Sequence, residues 1–383
     1  MQTPSRLVIL PMVCLLAGLS LALAPPAWSL AARYTVTDLG PATARAIADD
    51  DSRVVGSLND GGVQLSPTMA PLIGQAPLLR LEPLDTHAGR IVGNASPLVG
   101  VITPQAFLRN PNGTIIDLDA LLPAPGQGST ATAVTMEDVG GAAWSPDLTR
   151  RLPVLWMGDS TPIYLDTLGG NGYVDAMNER GDAVGASEVA PSQWHCTAWP
   201  AAGGVVDCHP PGWDAAQSRA TDINAAGLSV GVVQLPEVSR GFLTLPYGTV
   251  VLEPLAEDTH SLTWGINSLG DIVGQSCRYP DPRGICRATA WLNGTPVDLT
   301  TRVTNAQGWT LLTALGISDD GLILGHGLRG VEGHAFLLVP VDNATVAWYK
   351  WRYQIARYYQ DQYDRWRKSI DWYYREQARA ATR

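Results

Sequence analysis

The sequence predicts an all-β fold, a seven-bladed β-propeller built from four-stranded blades. The first observation is an internal repeat. Residues 266–274, INSLGDIVG, have the pattern of a strand, a tight turn and a second strand. Similar segments occupy 177–185, 223–231 and 317–325, and weaker copies occupy 47–56, 87–93 and 136–140. The second observation is the period of roughly 40–50 residues, which is typical of propellers and solenoids.

Each copy is predicted to be a β-hairpin, whose strands we call a and b. Asn267 at the first turn position and Gly270 at the fourth suit a type I turn followed by a left-handed glycine. A third strand, c, is predicted in runs such as 288–292, and a fourth, d, in runs such as 296–299.

The third observation is an offset between the two ends of the repeat region. The chain begins with a lone strand d at 34–39, and its last unit has strands a, b and c but no d. We therefore expect residues 34–39 to pair beside 335–338 and complete the last blade. That pairing closes the ring and removes both exposed edges.

The first 30 residues are predicted to be a signal peptide, followed by the propeller at 31–340 and a helix at 341–383. Arg6 supplies the positive flank, 7–24 is an apolar run, and Ala27-Trp28-Ser29 has small residues at the cleavage spacing. An uncleaved membrane anchor is the alternative, because about 18 apolar residues is the lower limit for a span.

Export would place the remaining four cysteines in an oxidising compartment. Cys196 and Cys208 bracket a predicted hairpin turn, so we expect them to form a disulfide. Cys277 and Cys286 bracket a loop between strands, and we expect the same of them. Zinc is the alternative for four cysteines, but no Cys-x-x-Cys spacing occurs. We predict no metal site and no cofactor.

The net charge of −10 is unevenly distributed along the chain. Residues 345–383 contain nine Lys/Arg and four Asp/Glu, a balance of +5, which leaves −15 for the rest. An acidic body argues against a nucleic-acid partner. The opposite sign of the C-terminal segment suggests that this segment has a partner of its own.

The C-terminal segment is predicted to be an amphipathic helix, because its apolar residues advance by three or four positions, averaging about 3.6. The stripe consists of Trp348, Trp351, Ile355, Tyr359, Tyr363, Trp366, Ile370 and Tyr373. Its aromatic members are the predicted contacts to a protein partner or a membrane surface, since Trp and Tyr beside a basic face suit both. Packing on its own propeller, or self-association, is the alternative.

A candidate ligand surface is predicted where the b–c and d–a connections meet on one face of the propeller. The candidate residues are Trp194, His195, His209, Trp213, His260, Trp264, Trp309 and His326. The alternative is that loop ends of a Trp-rich propeller have this composition without binding anything. His334 in strand c is predicted to be structural. Aspartates recur in strand d, at Asp38, Asp117, Asp166 and Asp298, and we expect them to serve the fold, for example through hydrogen bonds between blades.

Several motifs resemble those of the HAF-repeat family of exported bacterial proteins. They are GHAFL at 333–337, LDTLGG at 165–170, and the Ile-Asn-x-x-Gly-x-x-Val-Gly core of the repeat. The resemblance covers about 34–340. It implies export and a repeat fold, and it implies no catalytic residues.

The sequence therefore favours an exported, non-enzymatic binding or scaffold propeller in the periplasm or outside the cell. Its C-terminal helix would hold it to the envelope or to a partner complex. The alternative is a secreted propeller enzyme, a hydrolase or lyase acting on saccharides. Such an enzyme needs a paired acid and base or a metal cage, and no convincing set is visible, so no catalytic residue is predicted.

Overall fold

The structure, a computed structural model, describes residues 33–48, 53–58, 61–66, 70–71, 79–97, 103–158, 160–245, 248–279 and 286–341. These residues form seven antiparallel sheets of four strands each. The predicted seven-bladed propeller with four-stranded blades is thus confirmed. The predicted signal peptide (1–30) and the aromatic stripe of the predicted C-terminal helix (348–373) lie outside the described residues.

Each blade contains one a strand, one b strand, one c strand and one d strand. The a strands of blades 1 to 7 are β2 (Thr43–Ile47), β6 (Leu79–His87), β10 (Ser129–Val134), β14 (Gly172–Met177), β18 (Gln217–Ile223), β22 (His260–Ile266) and β26 (Trp309–Ile317). The b strands are β3 (Val54–Leu58), β7 (Arg90–Pro97), β11 (Val139–Trp144), β15 (Ala183–Ala190), β19 (Ser229–Leu235), β23 (Ile272–Cys277) and β27 (Ile323–Arg329).

The c and d strands complete the sheets. The c strands are β4 (Gly61–Ser66), β8 (Gln105–Arg109), β12 (Arg151–Met157), β16 (Gln193–Trp199), β20 (Val238–Leu245), β24 (Cys286–Leu292) and β28 (Glu332–Pro340). The d strands are β5 (Ala70–Pro71), β9 (Ile115–Asp117), β13 (Thr161–Tyr164), β17 (Val206–Asp207), β21 (Gly248–Leu252), β25 (Thr295–Asp298) and, for blade 7, β1 (Tyr34–Asp38). Short 3-10 turns at Asp119–Leu121 and Leu299–Arg302 follow two of the d strands.

The a strands form the inner ring of the propeller, because those of successive blades contact one another all the way round, including β26 with β2. The ring closes as predicted: β1 pairs with β28, with Val36 opposite Leu338 and Asp38 opposite Phe336. The chain start therefore supplies the outer strand of the last blade.

The apolar core is divided among the blade interfaces. Seven clusters of buried apolar residues each combine side chains from two adjacent blades. Between blades 6 and 7, for example, Val273 and Ala290 pack with Leu311 and Phe336. Burying one such large side chain stabilises the fold by about 1.5–3 kcal/mol, so the propeller is held together mainly by contacts between neighbouring blades.

Every a strand contains a β-bulge opposite a glycine of strand b. In blade 6, Thr263 lies opposite Gly274 and Gly265 opposite Val273, so Trp264 is the extra residue. The extra residues of blades 1 to 7 are Arg45, Leu84, Thr132, Asp175, Thr221, Trp264 and Leu315. Because strand a is innermost, each of these residues adjoins the central channel.

The bulge explains the glycine that ends each repeat. A Cβ on the opposing glycine would overlap a backbone carbonyl oxygen of strand a in all seven blades. These glycines are Gly56, Gly93, Gly141, Gly185, Gly231, Gly274 and Gly325. In the third repeat the residue is Gly141, not the predicted Gly140, because strand a ends at Val134 and not at residue 136, and Val134 pairs with Val139.

The a–b turns also link neighbouring blades. In blades 4 to 7 the turn glycine has a φ of 80–81°, which confirms the predicted left-handed position. Asn224 caps its turn by accepting hydrogen bonds from the backbone N–H groups of Ala226 and Leu228, both 3.0 Å long. Its Nδ2 donates to the carbonyl of Asn267 in the next blade (3.0 Å).

The same contact recurs around this part of the ring. Asn178 Nδ2 donates to the Asn224 carbonyl (3.1 Å), and Asn267 Nδ2 donates to the Ser318 carbonyl (3.3 Å). The three asparagines are buried. The turn residue that the sequence pattern detects is thus also a bridge between blades.

The strand-d aspartates serve the fold differently from the expectation. Asp38, Asp117 and Asp298 accept hydrogen bonds from backbone N–H groups two or three residues further along the chain, and so cap the turn after the strand. Bonds between blades come instead from strand-a aspartates. Asp85 accepts from Val134 N, and Asp222 accepts from Ile266 N, both at 2.8 Å.

Replacing Gly274 by Ala tests the bulge directly. Its Cβ would overlap the carbonyl of Leu262 in strand a, so we expect Gly274→Ala to lower the free energy of unfolding by about 3 kcal/mol or more. Gly333→Ala is the matched control, since nothing lies within 4 Å of its Cβ position. Urea denaturation should show a change of less than about 1 kcal/mol for the control. Equal effects of the two substitutions would contradict this explanation of the repeat.

Candidate functional site

Most of the predicted ligand residues lie on one face. Strands a and c begin at the face that carries the b–c and d–a connections, which we call the upper face. Trp194 and His195 open β16, and His260 and Trp309 open β22 and β26. The other two, His209 and Trp213, lie between β17 and β18. The remaining predicted residues, Trp264 and His326, lie inside strands and not in connections.

His326 is engaged in holding the ring closed. Its Nε2 accepts a hydrogen bond from the backbone N–H of Ala44 in blade 1 (2.8 Å), and burial lowers the pKa of its imidazole. A neutral ring that accepts at Nε2 is therefore the state that this contact requires. These contacts give His326 a structural role between blades 7 and 1.

His195 and His209 form a stacked pair beside a disulfide, with ring centroids 4.0 Å apart. His209 uses both ring nitrogens: Nδ1 bonds to Ser218 Oγ (2.7 Å) and Nε2 to the Trp213 carbonyl (3.0 Å). Burial lowers the pKa of His209. His195 Nδ1 bonds to Asp207 (2.8 Å), while its buried Nε2 has no hydrogen-bond partner in the described part of the chain.

Both predicted disulfides are confirmed. Cys196–Cys208 has a Cα–Cα distance of 5.0 Å and Cys277–Cys286 one of 4.1 Å. The first joins strand c of blade 4 to the segment that carries His209. The second joins strands b and c of blade 6, where Cys277 lies directly opposite Cys286.

Two other candidates, which open a strands at the upper face, pack against neighbouring aromatic side chains. His260 lies edge-on to Tyr279, with ring centroids 4.8 Å apart, and burial lowers its pKa. Trp309 packs edge-on against His334 and Phe336, at 6.1 and 6.0 Å. His334 in turn bonds to Asp38 of the closing strand (2.8 Å), in line with its predicted structural role.

A continuous group of side chains lies on blades 4 to 6, mostly on their a strands beside the channel. It consists of Tyr173, Asp175, Trp194, Arg219 and Trp264, and we call it the channel cluster. Tyr173 and Trp194 have ring centroids 5.4 Å apart. Arg219 Cζ lies 5.6 Å from the centroid of the Trp264 ring, within the range of a cation–π contact. Arg219 also lies near Tyr173, where its charge opposes the rise in the pKa of the Tyr173 hydroxyl.

Asp175 is the chemically unusual member of the channel cluster. Its Oδ2 is buried and has no hydrogen-bond partner among the described residues. Burial raises the pKa of Asp175 to about 7, and the charge of Arg219 opposes that shift. Burial, and next the charge of Asp175, raise the pKa of Tyr173. The cluster thus presents an unpaired carboxyl oxygen beside a cation and three aromatic rings.

Sequence reasoning found Trp194 and Trp264 but missed Tyr173, Asp175 and Arg219. The bulge, which assigns each repeat one channel-side position, is the signal that finds Asp175, whereas Tyr173 and Arg219 each lie two residues before a bulge residue. In the four C-terminal repeats this position lies ten residues before the closing glycine, at Asp175, Thr221, Trp264 and Leu315. The four repeats share no residue type at this position. The aspartate and the tryptophan found there therefore indicate a place where individual blades have different properties.

Within the described residues, no three His, Cys, Asp or Glu side chains are grouped closely enough to hold a metal ion. A search of the same residues for a helix long and apolar enough to cross a membrane finds none.

Two solved structures illustrate what this chain is similar to. Puromycin hydrolase complexed with PGG matches at 12% identity with a TM-score of 0.48, over 77% of this chain and 51% of that one. This chain therefore spans about half the length of that enzyme. The β-propeller domain of the Trilobed protease from Pyrococcus furiosus matches at 8% identity and a TM-score of 0.49, over 70% and 86% of the two chains. Similarity this low carries no statement about activity. No protein-family model and no curated relative matches the sequence.

Asp175→Asn is expected to stabilise the propeller at pH 8 and to leave it unchanged near pH 4. The native pKa of about 7 lies above the unfolded value of about 3.9. The native state therefore binds more protons between these values, and the stability that this group contributes is lost as the pH rises through about 7. Urea midpoints at the two pH values measure the difference.

Asp147→Asn is the control with the opposite sign. Hydrogen bonds from Ser145 and Thr149 lower the pKa of Asp147 to about 2, so its contribution is present above about pH 4 and is lost as the pH falls through about 2. At pH 8 the Asp147→Asn variant should be less stable than the unsubstituted protein. If Asp175→Asn changes the stability equally at pH 4 and pH 8, the pKa of Asp175 is not raised in the folded protein.

Proposed function

We propose that this protein is an exported, non-enzymatic binding propeller that takes a ligand at the channel cluster. Its C-terminal segment attaches it to the envelope or to a partner complex. The observation that carries the binding proposal is the buried, unpaired Oδ2 of Asp175 beside Arg219. A buried polar atom without a partner costs roughly 1–3 kcal/mol, and proteins keep such costs mainly at functional sites.

The cluster favours binding over catalysis. It contains three aromatic rings with a few convergent polar groups, the usual composition of a ligand site. It has one carboxyl group, whereas glycoside hydrolysis generally uses two. Of the predicted histidines, His209 and His326 already use ring nitrogens in contacts that hold the fold. A saccharide-processing enzyme is therefore the weaker candidate.

Export is supported by the two disulfides, because such bonds persist in oxidising compartments. The resemblance to the HAF-repeat family points the same way, and membership of that family stays a prediction.

The exit point of the chain supports attachment through the C-terminal segment. Strand c runs away from the upper face, so β28 ends, at Pro340, on the face that carries the a–b turns. Tyr34 pairs with Pro340 at this end. The segment that follows carries a charge of +5 against −15 for the rest of the chain. A propeller held by this segment would present the upper face, with its aromatic side chains, away from the attachment.

Deleting residues 345–383 is expected to leave the propeller folded and to release it from its partner. All seven apolar clusters consist of residues between 34 and 339, so the unfolding midpoint should change little. Exposed ion pairs contribute only about 0–1 kcal/mol each, so burial of the aromatic stripe should dominate the contact. Sedimentation with membranes, and pull-down from envelope extract, measure the release.

The matched variant keeps the chain length and the charge. Replacing Trp351, Tyr359, Trp366 and Tyr373 by Ser should release the protein as the deletion does, whereas high salt should only weaken the contact. A truncated protein that folds and still sediments with the envelope would refute attachment through this segment. Unfolding of the truncated protein would show that the segment belongs to the core.

A further inference from the structure

We propose that the channel cluster binds a neutral saccharide, whose ring lies against Trp264 and whose hydroxyl groups bond to Asp175 and Arg219. This inference rests on the proposed binding function and adds the ligand class to it.

The first argument is the pairing requirement of the two polar side chains. Arg219 offers only N–H donors, whereas the unpaired Oδ2 of Asp175 needs a donor while the carboxylate is ionised and an acceptor when Oδ2 carries the proton. A hydroxyl group both donates and accepts. Neighbouring hydroxyls on one sugar ring can therefore satisfy both side chains, in either protonation state of Asp175.

The second argument is charge. Arg219 lies close enough to Asp175 to oppose the rise in its pKa, and above about pH 7, where Asp175 is ionised, the pair carries no net charge. An anionic ligand that approaches Arg219 would meet Asp175, and a cationic ligand that approaches Asp175 would meet Arg219. A ligand without net charge avoids both repulsions.

The third argument is the apolar surface beside these groups. Tyr173 and Trp194 present rings on blade 4 and Trp264 presents one on blade 6, with Arg219 of blade 5 between them. Each ring combines a flat apolar face with a polar group at its edge. One face of a pyranose ring is lined with C–H groups and matches such a surface. The cluster thus offers both apolar and polar contacts of the kind that a sugar needs.

The fourth argument is that comparable channel positions on other blades are already paired. Thr132 donates to the Val174 carbonyl (2.5 Å), and Thr221 donates to the Thr263 carbonyl (3.0 Å). Arg45 bonds to Glu82 at 2.7 Å. Asp175, at the same position of the bulge, has a buried oxygen without a partner among the described residues, and Arg219 lies near it.

Titration of the full-length protein with glucose, galactose, mannose, N-acetylglucosamine, maltose and cellobiose tests the proposal. Binding is measured by calorimetry and by tryptophan fluorescence. Glucuronate, glucosamine and free amino acids are the charged comparison ligands. We expect at least one neutral sugar to bind more tightly than its charged counterpart.

The variants locate the site. Trp264→Ala and Arg219→Gln should each weaken binding on the order of tenfold, the equivalent of about 1.4 kcal/mol. Trp264→Phe should restore part of the loss, which separates loss of stacking from misfolding. Tyr279→Ala is the matched control, because this aromatic residue is exposed on the same face and lies outside the cluster. Its affinity should be unchanged.

The outcomes distinguish the ligand class from the binding function. One outcome is that the protein instead prefers glucuronate, glucosamine or an amino acid and loses that binding in Trp264→Ala. This result would overturn the proposal of a neutral saccharide and keep the binding function. Sugar binding that Trp264→Ala and Arg219→Gln leave intact would overturn the site. Absence of binding by every neutral sugar at millimolar concentration would overturn the saccharide proposal, and absence of binding by the charged probes as well would count against a binding role of the cluster.

Discussion

The close approach of strand a to strand b at the bulge is the constraint on which the rest of this propeller depends. A carbonyl oxygen of strand a lies where the Cβ of any other residue would sit, so each repeat keeps a glycine there. The same bulge gives each inner strand one extra residue beside the channel. A single steric requirement thus produces the periodic glycine in the sequence and the channel positions where the blades can differ.

Contacts between neighbouring blades also hold the ring together. Seven apolar clusters lie between neighbouring blades, and three buried asparagines extend the link along the a–b turns. Trp156, Trp199 and Trp291 in strand c each donate their indole N–H to a backbone carbonyl of the preceding blade. Nearly all of these contacts join adjacent repeats, so the first and last blades need the closing strand β1 to complete the ring.

The sequence was sufficient for features that depend on short-range pattern. The number of blades and both disulfides follow from turn signals, alternation and spacing within one repeat, and the closing pair of strands follows from the offset between the first and last repeats. Features that depend on register or on contacts between blades were not predictable. Gly141 replaced Gly140 because strand a of blade 3 ends at Val134 and not at residue 136. The strand-d aspartates bond to N–H groups two or three residues along the chain and so cap turns. Asp175 and Arg219 meet only after folding, since they lie on different blades 44 residues apart in the chain.

An experimental structure of the protein crystallised with a neutral disaccharide would test the central claim most directly. The claim is that the channel cluster, which joins the bulge residues Asp175 and Trp264 through Arg219, forms the ligand site. The account predicts ordered sugar density in the channel, with hydroxyl groups within hydrogen-bond distance of Asp175 and Arg219 and a ring against Trp264. Sugar density elsewhere on the propeller, or an Asp175 Oδ2 bonded to another protein group, would contradict it.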